Sequence, residues 1–146
     1  MTTIRRTTAA GLVAVALLAG LAAPAIGAKD DLVLVSRVGP SGAGGDGGSE
    51  SPAISADGRY VAFESNADNL SAEDNDAVLN VFVRDTQTGT TTLVSRAHGP
   101  GGAGGDGDSY GPAISADGRY VAFGSEADNL SAWDNDAVRD VFVRDT

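Results

Sequence analysis

Cysteine is absent from the chain of 146 residues. That excludes a disulfide scaffold, a thiolate metal site, a cysteine nucleophile and a cysteine-linked lipid anchor. Basic residues are scarce too: Lys and Arg number 10 against 20 Asp and Glu, a formal net charge of −10. Nucleic-acid binding needs a basic surface to displace counterions, so that class is excluded. His98 is the single histidine, which leaves little imidazole for acid–base chemistry. The apolar run from Ala9 to Leu21, 13 residues long, falls short of the roughly 20 residues that span a bilayer. What is plentiful is glycine, 20 residues of it, alongside a hydrophobic content of 42%. That is enough apolar material for a globular core.

Residues 1–28 read as an export signal. Arg5 and Arg6 form a positive start, and Ala9 to Leu21 is an uncharged apolar run of 13 residues. Small residues follow from Ala22 to Ala28, then the charged Lys29-Asp30-Asp31. Cleavage after Ala25 or after Ala28 satisfies the small-residue rule. The arginine pair lacks the hydrophobic residues expected after a twin-arginine signal, since Thr7-Thr8-Ala9 follows it. Removing 28 residues leaves 118 and takes away two arginines, so the exported chain carries −12.

The remainder is a repeat. Residues 52–86 return at 112–146 with 30 of 35 positions identical, the differences falling at 64, 66, 73, 79 and 80. Upstream, Leu34-Val35-Ser36-Arg37 returns as Leu93-Val94-Ser95-Arg96, at a spacing of 59 rather than 60. One residue is therefore inserted in the intervening glycine-rich stretch.

Each unit parses into short strands. Ala53-Ile54-Ser55 runs into Asp57-Gly58, a hairpin turn signal because glycine accepts positive φ. Tyr60-Val61-Ala62-Phe63 follows, then a polar loop, then Val81-Phe82-Val83-Arg84. A turn at Thr88-Gly89 leads to a fourth strand, Thr91 to Ser95. The central runs are continuously apolar rather than alternating, which predicts a sheet covered on both faces. No sustained helical period occurs after residue 28, so the fold class is all-β. Four antiparallel strands per unit, covered on both faces, predict blades of a β-propeller. A β-solenoid is the competing architecture, but its repeats are usually shorter.

The segment Pro-Ala-Ile-Ser-Ala-Asp-Gly-Arg-Tyr-Val-Ala-Phe, at 52–63 and 112–123, resembles the WD-like propeller repeat of TolB-type exported bacterial proteins. Val81-Phe82-Val83-Arg84-Asp85 and its copy at 141–145 are similar to that repeat's third strand. The resemblance implies a propeller fold, a secreted or periplasmic location and a binding role. It does not imply translocation, because the N-terminal domain of those proteins has no room in this chain. The same repeat forms lids on serine peptidases, which leaves a fragment of a larger propeller-containing hydrolase as an alternative.

Candidate chemistry is concentrated in the acidic loops. Asp74, Asp76 and Asn80 recur as Asp134, Asp136 and Asp140 just before the third strand. Hard cations such as calcium take six to eight oxygens, and alternating Asp or Asn can turn several inward. Asp68 and Asp128 are candidate additional ligands. The pattern lacks the EF-hand glycine and final glutamate, and simple turn capping by Asp and Asn is the competing explanation. The second loop is expected to bind more tightly because Asp140 replaces Asn80. Gly101 to Asp106 matches part of a calcium-binding nonapeptide, but Asp108 stands where an aliphatic residue belongs and no second nonapeptide stacks beside it. The glycine-rich stretches 39–48 and 99–107 are better read as loops between blades.

Such loops often form a binding rim, so Asp46, Asp106, Asp108 and Tyr110 are candidate ligand contacts. Trp133, where the first unit has Glu73, is a candidate sugar or protein contact, with peripheral packing as the alternative. His98 sits in a glycine-rich loop with no G-x-S-x-G serine in the chain, so no catalytic triad is expected. Asn69-Leu70-Ser71 and Asn129-Leu130-Ser131 are formal glycosylation sequons, meaningful only in a eukaryotic secretory route.

The expected function is an exported, non-catalytic propeller module that binds a protein or glycan partner or serves as a scaffold. The alternative is a calcium-binding structural repeat of the cell exterior. Two blades, about 52–96 and 112–146, cannot close a ring of about four to eight. Either the chain is a fragment, or copies of it complete the ring as a homo-oligomer. In the second case the strand at 32–37 pairs with the last blade, within the chain or across a subunit boundary, and three chains supply six blades.

Overall fold

The computed structural model describes residues 30–74, 76, 78–99, 101–134, 136 and 138–146. The export signal expected at 1–28 lies outside the described residues. Those residues are all-β and form seven strands: β1 (Ser49–Ile54), β2 (Tyr60–Ser65), β3 (Asn80–Asp85), β4 (Thr90–Leu93), β5 (Ser109–Ile114), β6 (Tyr120–Ser125) and β7 (Asp140–Asp145). Among them no helix is long and apolar enough to cross a membrane. The strands make two antiparallel sheets, β1-β2-β3-β4 and β5-β6-β7. One sheet belongs to each repeat.

The turns follow from local chemistry. Between β1 and β2, Asp57 Oδ1 accepts from the Ser55 hydroxyl at 2.6 Å and from the Arg59 amide at 3.0 Å. Gly58 supplies the φ of +73° that the reversal needs. Arg59 then reaches the end of β3, where its guanidinium meets the Asp85 carboxylate at 2.7 Å. Asp117, Gly118, Arg119 and Asp145 repeat the arrangement in the second sheet. The strand expected at Ala53–Ser55 begins earlier, at Ser49. Its extra length passes through a bulge between Glu50 and Ala53, repeated between Tyr110 and Ala113. At the bulge the second repeat has Gly111 at φ +63°, whereas the first holds Ser51 there at φ +52°.

Each sheet has two distinct faces because side chains alternate along a strand. In the first sheet Tyr60, Ala62, Val81 and Val83 form a valine face, and Phe63 and Phe82 a phenylalanine face. The two rings stack with centroids 5.7 Å apart. The valine face packs directly on the phenylalanine face of the second sheet, in one core of Ala62, Val81, Val83, Val94, Val121, Phe123, Ala127 and Leu130. A second core gathers Phe63, Ala67, Leu70, Phe82 and Leu93 behind the first sheet. Polar clamps fix the stacking. The Ser109 amide donates to the Leu79 carbonyl at 2.6 Å, and the Leu79 amide donates to Asp108 Oδ1 at 2.9 Å. The buried Glu64 carboxylate joins both bulges, accepting from the Ser51 hydroxyl at 2.6 Å and the Gly111 amide at 2.8 Å.

Residues 32–36 form no strand and do not pair with β7 of the same chain. The reason is anchoring. Arg37 bridges to Gly44, and its carbonyl accepts from Arg84 Nη1 at 3.1 Å and the Thr91 hydroxyl at 2.8 Å. Val35 packs against the phenylalanine face of the first sheet. This holds the segment on the side of the molecule away from the second sheet.

Candidate functional site

The acidic loop connects the second and third strands of each repeat, so strand pairing on both sides holds its ends. In the second repeat, Asp134, Asp136 and Asp140 bring carboxylate oxygens within 4.8 Å of one another. Oδ2 of Asp134 is buried and has no hydrogen-bond partner among the described residues. Three carboxylates converging with an unsatisfied buried oxygen make an environment that favours a bound cation.

The first repeat solves the same geometry differently. Asn80 is fully buried; its Nδ2 donates to Asp74 Oδ1 at 3.2 Å, and its Oδ1 accepts from the Ser95 hydroxyl at 2.6 Å. The carboxamide thus spends both ends inside the protein. Asp76 Oδ1 accepts from the Val78 amide at 3.2 Å, a turn contact. Burial pushes the Asp74 carboxyl up to about 6, with the charges of Asp76 and Asp68 adding to it. Asp74, Asp76 and Asn80 are therefore a hydrogen-bonded turn. Asp140, which has no N–H to offer Asp134, cannot reproduce it.

The structure scatters the other candidates. Asp106 and Asp128 face each other, Asp106 Oδ1 accepting from the Asp128 amide at 3.1 Å. A carboxyl–carboxyl hydrogen bond, then their like charge, raises Asp128. Asp108 is spent on the clamp to Leu79. Tyr110 lies on β5 rather than in a loop. Its hydroxyl donates to Glu126, and the Arg139 guanidinium sits 3.6 Å from its ring centroid. Burial first, then the bond to Glu126, holds that hydroxyl above its ordinary range. Trp133 is 95% exposed. His98 and Trp133 border one groove, whose floor is Phe123, Leu130 and Phe142.

Two features escape a residue-by-residue reading. The cluster of Tyr110, Glu126 and Arg139 exists only in the second repeat, where Arg139 also lies across Gly124, its nitrogen 3.1 Å from where a Cβ would stand. Its signal is in the sequence: Gly124, Glu126 and Arg139 are three of the five positions at which the repeats differ. The apolar groove has no such signal, because Phe123, Leu130 and Phe142 are identical to their buried counterparts. No family model, curated protein or solved structure matches the chain.

Proposed function

We propose that the chain is an exported, non-catalytic repeat module of the TolB-like propeller type that binds a protein or glycan partner outside the cytoplasm. The observation that carries this reading is the face-to-face stacking of two repeated sheets. Val81 and Val83 of one repeat pack onto Phe123 of the next, so the valine face of one sheet covers the phenylalanine face of its neighbour. Neighbouring blades around a propeller axis bury themselves in the same way. The repeated Asp-Gly turns support the resemblance, and the export-signal pattern in the sequence of residues 1–28 supports the location. Binding is assigned to the second repeat, where Trp133 replaces Glu73 and stands exposed beside the groove.

A polysaccharide and peptidoglycan array probed with the labelled protein tests the glycan arm. Retention that Trp133→Ala abolishes is expected. Absence of retention on every glycan, together with no protein captured by crosslinking at the cell surface, overturns the binding reading.

A second reading has its own observation: the unsatisfied buried oxygen of Asp134 within the carboxylate trio favours a structural calcium in the second repeat. Calorimetry with calcium is expected to show one site, lost in Asp140→Asn and unaffected by Asp76→Asn. No heat and no thermal shift with calcium removes this reading.

A further inference from the structure

An aspartate followed by glycine is chemically labile, because glycine has no side chain to keep its amide nitrogen away from the neighbouring carboxyl. Four such pairs lie among the described residues: Asp46-Gly47, Asp57-Gly58, Asp106-Gly107 and Asp117-Gly118. All four aspartates are exposed, so exposure does not separate them. Hydrogen bonding does.

At the two hairpins every participant is tied down. Asp57 Oδ1 accepts from the Ser55 hydroxyl and the Arg59 amide, and the Gly58 amide donates to the Ser55 carbonyl at 3.0 Å. Asp117 and Gly118 repeat all three bonds with Ser115 and Arg119. The serine bond first, then the arginine amide, holds both carboxyls below their ordinary range, in the charged form that resists attack.

The glycine-rich loop at 39–48 imposes none of these restraints. Neither the Asp46 carboxylate nor the Gly47 amide has a hydrogen-bond partner among the described residues. Only the Asp46 amide is held, donating to Asn69 Oδ1 at 3.2 Å. Asp106, its counterpart, is more restrained, since its Oδ1 accepts from the Asp128 amide at 3.1 Å. Glycine is nevertheless required at 47. A Cβ there would stand 2.6 Å from the Asn66 carbonyl oxygen and 2.7 Å from the Ala67 nitrogen. Packing of the loop on residues 66–67 thus keeps the reactive pair in place.

We propose that Asp46-Gly47 is a modification site, at which aspartate converts to isoaspartate in the folded protein without an enzyme. The Gly47 amide nitrogen attacks the carboxyl carbon of Asp46 in its neutral form. The new C–N bond closes a succinimide ring, and the acid's hydroxyl leaves with the amide proton as water. A water molecule then adds to one of the two ring carbonyls, and that carbonyl's bond to nitrogen breaks. Opening at the side-chain carbonyl restores aspartate. Opening at the main-chain carbonyl routes the backbone through the side chain, longer by one carbon and unchanged in mass.

The lengthened backbone falls between two anchors. These are the Asp46 amide on Asn69 and the Gly48 carbonyl, which accepts from the Asn66 amide at 3.2 Å. It also displaces the Asp46 carboxylate, a candidate rim contact. The proposal stands apart from the binding reading, which concerns the second repeat.

Prolonged incubation of the full chain at mildly acidic pH, followed by peptide mapping with electron-transfer fragmentation, locates isoaspartate residue by residue. It is expected to accumulate first at Asp46, at least about tenfold faster than at Asp57 or Asp117, where three hydrogen bonds must break before attack. In urea the four pairs are expected to react at similar rates. Ser55→Ala removes a donor from Asp57 and is expected to raise the rate there relative to Asp117 in the same chain. Ser115→Ala is the reciprocal variant. Reading each variant as a ratio cancels any loosening of the whole fold.

Equal rates at Asp46 and the hairpin aspartates of the folded chain overturn the proposal. So does an Asp46 that stays intact in the folded chain while the chain in urea isomerises. A ratio that neither serine variant changes overturns it as well, because the hydrogen bonds would then not be what selects the site.

Discussion

Asn80 and Asp140 occupy the same position in the two repeats and differ by one functional group. The amide of Asn80 donates to Asp74 and accepts from Ser95 while fully buried. Replacing it by Asp removes a buried donor and sets two carboxylates against each other. Asn80→Asp is therefore expected to destabilise the protein by about 1–3 kcal/mol, the usual cost of a buried group left without its partner. Urea unfolding of the variant beside wild type measures it, and an unchanged midpoint contradicts the hydrogen bonds of Asn80 to Asp74 and Ser95. Protonation adds a pH signature. Arg59 beside it holds the Asp85 carboxyl at about 2, below the ordinary 3.8. Its stabilisation is complete above about pH 4 and lost as the pH falls towards 2. Asp74, raised to about 6, has the opposite sign: its charge disfavours the fold above pH 6, and stability is regained on acidification from 6 to 4. Thermal melts across pH 2–8 are expected to peak on the mildly acidic side of neutrality, and Asp74→Asn is expected to flatten the limb above pH 4. Melting temperatures of Asp74→Asn that parallel wild type through pH 4–7 contradict the burial of Asp74.

At the scale of elements, strand order and turn chemistry were legible because Asp-Gly, the apolar runs and the repeat all agreed. Asp57-Gly58 and Asp117-Gly118 mark the hairpins, and β2, β3, β6 and β7 lie where the apolar runs put them. The start of β1 at Ser49 was hidden, since Ser-Glu-Ser-Pro carries no strand signal. Tertiary pairing supplies the reason: the Ser49 hydroxyl donates to Ser65 Oγ at 2.9 Å across the sheet. Likewise Leu34 and Leu93 read alike, but Leu93 has a neighbouring β3 and Leu34 has none in its own sheet. Pattern fixes what a segment prefers; only the neighbours decide whether the preference is met. The acidic loops were legible as a pair, and the chemistry that separates them lies in one nitrogen of Asn80.

The repeats allow an internal control on packing. Phe82 is fully buried between sheet and loop, while Phe142 borders the open groove. Phe82→Ala is expected to cost about 3–5 kcal/mol, as for a well-packed aromatic core residue. Phe142→Ala is expected to cost clearly less, because part of its surface is already hydrated. Chemical denaturation compares the two, and equal losses would show that the groove is closed in solution. Hydrogen exchange reads the same asymmetry without mutation. Amides of β3, paired on both sides, are expected to outlast those of the edge strand β7.

For the whole molecule, apolar packing and charge act against each other. The chain carries −10, so its like charges repel within one fold. The contact between the two sheets is apolar, with Val81, Val83 and Phe123 in one core. Salt screens the repulsion, whereas burial of these side chains is not weakened by it. Melting temperature is therefore expected to rise as sodium chloride is raised from low to moderate concentration. Thermal melts over a salt series measure the trend, and a melting temperature that falls with added salt would assign the contact between the sheets to ion pairs rather than to apolar packing.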